Sequence, residues 1–113
     1  AWPERIDAGV APLSLTQLTS LSFSEPNFAQ FPCLELAFAA AKVGGTSPTI
    51  LNAANEIAVA AFLDEGLPYL RISEVVERTL DALPSAAADS LGLILSVDAQ
   101  ARELAHRIIK DLR

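Results

Sequence analysis

The longest run of helical hydrophobic spacing lies between Pro48 and Leu63, PTILNAANEIAVAAFL. Ile50, Ala54, Ile57 and Ala61 form one stripe at helical period, and Leu51, Ala58 and Phe62 widen it into a face broad enough for a bundle interior. Ser47 is placed to cap this helix, Pro48 suits its first turn, and Gly66 is the expected stop. A second helical pattern runs from Pro32 to Lys42, with Leu34, Ala37, Phe38 and Ala41 as its inner stripe and Gly44-Gly45 after its end. A third, capped by Ser73 and closed by Pro84, turns Ile72, Val75, Val76, Leu80 and Leu83 inward and Glu74, Glu77, Arg78 and Asp81 outward. A fourth starts near Ser96 or Asp98. It carries Ala101, Leu104, Ala105, Ile108 and Leu112 inside, with Arg102, Arg107, Lys110 and Arg113 weighted towards the negative pole of its dipole. The pattern leaves the state of residues 84–95 open, both the SAAAD stretch and the apolar run Leu91–Leu95.

Residues 1–30 have no such period. Pro3, Gly9, Pro12 and Pro26 punctuate them, and short alternations at Leu13-Ser14-Leu15 and Leu21-Ser22-Phe23 suit strands with one covered face. The fold class expected is therefore mainly α: a four-helix bundle-like domain preceded by an extended segment with one or two short strands. Two short strands without sheet partners are marginal. The segment reads either as made to pair with a sheet supplied by other sequence, or as an ordered arm laid over the helices. Ser24–Phe31 is a linker bearing Phe28 and Phe31.

Composition narrows the classes. Of 113 residues, 51% are hydrophobic and only 6% aromatic, a mixture that favours packed helices over a β-sandwich. The net charge of −6, with eight basic residues scattered among fourteen acids, argues against a nucleic-acid partner, which needs clustered Lys and Arg. No apolar run approaches the roughly 20 residues of a membrane span, so no membrane partner is expected. The single cysteine, Cys33, allows no internal disulfide and fits a reducing, cytoplasmic setting. The chain contains no Met, and the expectation is a piece of a longer protein.

Candidate chemistry is sparse. His106 shares a face with Arg102, Glu103 and Lys110 and reads as solvated. Cys33 follows Pro32 at a helix start, where the dipole would lower a thiol pKa, but without a partner histidine a packed or capping thiol is the plainer reading. Gly44-Gly45-Thr46 reads as a turn rather than a phosphate cradle, since no strand precedes it and no cation stands near. One His, one Cys and dispersed carboxylates make no zinc or calcium site. We therefore assign no catalytic, cofactor-binding or metal-ligating residue. Asn52, Asn55 and Glu56 do ask for a reason, because Asn inside a helix is worse than Ala by roughly 0.7 kcal/mol. They read as structural anchors that hydrogen-bond a neighbouring segment, with exposed surface and direct ligand contact as alternatives.

The residues also carry a resemblance. Phe31-Pro32-Cys33-Leu34-Glu35-Leu36-Ala37, then Gly44-Gly45-Thr46 with Pro48, then Leu51-Asn52-Ala53-Ala54-Asn55-Glu56-Ile57-Ala58-Val59 with Ala61-Phe62-Leu63, are similar to the C-terminal part of 1-deoxy-D-xylulose 5-phosphate reductoisomerase. Trp2-Pro3-Glu4-Arg5 and Ser96-Val97-Asp98-Ala99 with Ala101-Arg102 extend the match to essentially the whole chain. The resemblance implies an NADPH-dependent oxidoreductase and isomerase of the non-mevalonate isoprenoid pathway in bacterial cytoplasm. It would convert 1-deoxy-D-xylulose 5-phosphate to 2-C-methyl-D-erythritol 4-phosphate with a divalent metal (Mg, Mn or Co), as a homodimer. It implies that residues 1–32 are the tail of a central catalytic domain plus linker, and 33–113 a C-terminal helical bundle. The partners of this piece would be the upstream catalytic and NADPH-binding domains, and the piece alone would be inactive. The rival reading is a free-standing acidic helical module that binds a protein. A helix-turn-helix built around Gly66 is opposed by the acidic charge and by Glu74 and Glu77.

Overall fold

The computed structural model describes residues 3–4, 6–11, 13–18, 20–64 and 66–112. Trp2, Arg5, Pro12 and Arg113, all invoked above, lie outside the described residues. Four helices follow one another: α1 (Pro32–Val43), α2 (Ser47–Leu63), α3 (Ile72–Ala82) and α4 (Leu91–Asp111). α2 is the hub. It packs on α4 and α3 and more lightly on α1, while α3 also touches α4 and α1. None of these helices is long and apolar enough to cross a membrane.

The core is made of small residues. Ala53, Ala54 and Ala58 of α2 and Ala101 and Ala105 of α4 are fully buried, and around them sit Ile50, Val75, Val76, Ile108 and Ile109. Alanine at these positions lets helix backbones approach closely, and ridges then fit grooves without long side chains between them. The buried face of α2 is accordingly turned towards Ala53 and Ala58. Ile50 and Ala54 of the expected stripe are buried, whereas Ile57 and Ala61 are only half-buried. On α3 and α4, Ile72, Val75, Val76, Ala101, Ala105 and Ile108 are buried as their spacing predicts. Thr79 joins them because its hydroxyl donates to the Val75 carbonyl oxygen (2.7 Å), one turn back, and so needs no water.

Several expectations are corrected. α1 turns Leu36 and Ala40 to the bundle, while Leu34, Phe38 and Ala41 face outward. α4 begins at Leu91, not near Ser96 or Asp98, because Ser90 is the cap: its hydroxyl accepts from the Leu93 amide at 3.2 Å. The run Leu91–Leu95 is thus helix. Ser47 and Ser73 are not caps either. Ser47 lies inside α2 after Thr46, and Ser73 lies inside α3 after a 3-10 turn at Tyr69–Arg71. Pro84 does close α3: Leu83 before it is extended (φ −114°, ψ 110°), as a residue preceding proline prefers.

No strand occurs among the described residues. Leu15–Gln17 instead forms a 3-10 turn, and Leu21–Phe23 has no regular secondary structure. A strand exists by pairing, and among the described residues the arm has no partner strand.

Candidate functional site

The polar positions on α2 meet α4 along one rim of the bundle. Asn52 and Glu56 stand one turn apart, and the Asn52 amide donates to Glu56 Oε1 at 3.1 Å. From α4, Arg102 Nη2 donates to Glu56 Oε2 at 2.7 Å. The same guanidinium grips Asp98 one turn earlier, through Nε to Oδ2 at 2.7 Å and Nη2 to Oδ1 at 3.2 Å. One planar cation thus ties two carboxylates on two helices, a geometry for which arginine's fixed fork is suited and lysine's point charge is not. The Arg102 hydrogen bond, and after it that from Asn52, holds the Glu56 carboxyl below the usual carboxylate range. Its two carboxylates in turn raise Arg102 above its ordinary value. Arg102 and Glu56 both keep contact with water, so the tie orients α4 on α2 more than it stabilises the bundle.

Asn55 differs. Half-buried on α2, its side chain makes no hydrogen bond to another described residue. The sequence-predicted set is therefore split: Asn52 and Glu56 join Arg102 and Asp98, and Asn55 stands apart.

A second polar assembly was visible only as a glycine turn. Gly44 and Gly45 have φ of +70° and +56°, where a side chain is strained. A Cβ on Gly45 would lie 2.2 Å from the Ala86 carbonyl oxygen. The Thr46 amide donates to that oxygen (2.9 Å), the Ala86 amide donates back to Thr46 Oγ1 (3.0 Å), and the Ser85 hydroxyl donates to the Gly44 carbonyl oxygen (3.1 Å). The amide that could meet a phosphate is thus already engaged, and the α3–α4 connection is clasped to the α1–α2 turn.

Elsewhere the chemistry is thin. Cys33 borders an open groove of about 210 Å³ with Phe31, Pro32, Tyr69 and Leu70. Desolvation by these neighbours pushes its thiol pKa up, against the lowering that the helix dipole alone would predict. His106 is exposed beside Asp64 and Lys110 without a hydrogen bond to either. Glu74 is held below its usual range by Arg71, with Arg78 adding to it, at the start of α3. Among the described residues no three His, Cys, Asp or Glu side chains come together, so the donor set present does not fit a divalent cation.

What spacing did not reveal is how much large apolar surface stays uncovered: Ile6, Val10, Leu21 and Phe23 on the arm, Leu34 and Phe38 on α1, Leu91 and Leu95 on α4. The signal was present, since Leu34 and Phe38 share a stripe.

Residues 1–104 match the family described as DXP reductoisomerase C-terminal domain. The 1-deoxy-D-xylulose 5-phosphate reductoisomerase of Dechloromonas aromatica is 52% identical over 113 residues, covering 100% of this chain and 28% of that protein. That of Pseudomonas fluorescens is 51% identical over 105 residues, covering 93% of this chain and 26% of that protein. Among solved structures, the reductoisomerase from Zymomonas mobilis in complex with NADPH aligns at a TM-score of 0.84 and 41% identity, over 96% of this chain and 29% of its own. A DOX-P reductoisomerase in complex with NADPH, fosmidomycin and magnesium aligns at 0.87 and 43%, over 99% and 30%. The chain thus spans less than a third of the length of each relative.

Proposed function

The chain belongs to the DXP reductoisomerase C-terminal domain family, and from that premise we propose that it is the C-terminal structural portion of a reductoisomerase. The intact enzyme converts 1-deoxy-D-xylulose 5-phosphate to 2-C-methyl-D-erythritol 4-phosphate with NADPH and a divalent metal, as a homodimer in bacterial cytoplasm. In this reading residues 1–32 are the tail of the catalytic domain plus linker, and 33–113 the bundle that braces it. NADPH, metal and substrate are held by the polypeptide upstream. Asn52, Asn55 and Glu56 are anchors: Glu56 and Asn52 fix α4 through Arg102, and the unmatched amide of Asn55 takes a partner from the upstream domains.

The observation that carries this is the family match along residues 1–104, in a chain covering only 28% of a relative 52% identical to it. The purified 113-residue chain is expected to oxidise no NADPH with the sugar phosphate, and turnover above a mock-purified control would refute the assignment. In the intact enzyme, Asn55→Ala is expected to lower the melting temperature while leaving metal affinity unchanged.

A further inference from the structure

The hydrophobic period of α1 is satisfied twice. Leu36 and Ala40 face the bundle, while Leu34 and Phe38, each two residues earlier, lie about 200° away round the helix. These two are 39% and 61% exposed, and Phe31, one turn before Leu34, continues their stripe into the linker at 54%. One exposed leucine needs no explanation, but Phe, Leu and Phe in helical register on a solvent face do. The linker itself touches this stripe: the Phe28 ring meets Phe38 edge-on, with centroids 6.2 Å apart and planes at 84°.

The geometry points to the stripe Phe28, Phe31, Leu34 and Phe38 as the seat on which the polypeptide preceding residue 1 docks. This rests on the reading above, that the chain is the end portion of a longer enzyme, and adds which face makes the joint. Two observations select that occupant. Most of each relative's length lies outside the matched segment, so a covering surface is available within one polypeptide. The arm that would lead to it is pinned by Phe28 onto Phe38, which holds any surface it carries at high effective concentration beside the stripe. A second copy of the chain is opposed by the net charge of −6 on each.

The test is native-state alkylation in the full-length enzyme, read peptide by peptide, at Phe38→Cys and at the gentler Ala41→Cys on the same stripe. Each rate is compared with that of the same site unfolded in urea. Both sites are expected to react at least roughly tenfold more slowly when native, because reaction then waits for the joint to open. A smaller slowing at both sites overturns the proposal, and so does protection that disappears on dilution, which would place a second copy there. An enzyme shortened to end at Phe31 separates the two readings. If it keeps its turnover and melting temperature, the bracing role fails. If it loses them while positions 38 and 41 react freely in the full-length protein, only the docking face is wrong.

Discussion

The seam between α2 and α4 and the outer side of α1 with its arm are both apolar, yet they stand in opposite relation to water. In the seam, Ala53, Ala54, Ala58, Ala101 and Ala105 are wholly enclosed. On the arm Phe23, a far more hydrophobic residue, is 91% exposed. Burial in this chain follows the partner available, not the residue's own hydrophobicity. Small side chains let three helices close on one another unaided, whereas the large ones form half of a contact.

The sharpest way to break that comparison is to remove volume on each side. In the 113-residue chain, Ile50→Ala is expected to cost about 2–5 kcal/mol in urea denaturation, through lost transfer energy and a cavity between α2 and α4. Phe23→Ala should stay within about 0.5 kcal/mol there, although it deletes more apolar surface. Equal losses would mean that the arm is folded onto the bundle.

Next in size is the clasp. Gly45→Ala places a Cβ at positive φ against the Ala86 carbonyl oxygen and is expected to cost about 1–3 kcal/mol. Faster hydrogen exchange at the Thr46 and Ala86 amides would show the clasp released, while exchange within α4 beyond Ala101 should hardly change. Ser90→Ala removes the cap of α4 at a cost of about 1 kcal/mol. Helicity should fall over Leu91–Leu95, the outward stretch, and not over the seam residues.

The smallest effect concerns the rim. Glu56 has a depressed pKa in the folded chain, so its contribution is present above the unfolded value of about 4.3 and is lost as pH falls through the folded value. The urea midpoint should therefore drop slightly more between neutral pH and about pH 3 in the natural chain than in Glu56→Gln. Glu74, depressed by Arg71, titrates in both and cancels from the difference.

The helices were legible because their apolar residues repeat at the right period, and the family was legible from the LNAANE run. The orientation of α1 was not. Its two faces are both apolar, and period alone cannot tell which meets the bundle; in the fold Ala40 is buried and Phe38 exposed. The start of α4 was obscured by Leu91, Leu93 and Leu95, whose alternation resembles a strand until Ser90 is recognised as the cap. The Asp98–Arg102 pair could have been read from its four-residue spacing, but the bond from Arg102 to Glu56 joins residues 46 apart in sequence and only packing brings them together.

The position of α4 in the chain sets the order in which this bundle can be completed during synthesis. Both buried clusters need it: Ala101 closes one, and Ala105, Ile108 and Ile109 close the other. Until α4 leaves the ribosome, α2 and α3 present an open hydrophobic trough, whatever has already folded before them. A frameshift or early stop ahead of α4 would thus strand the protein without its keystone and mark it for quality control.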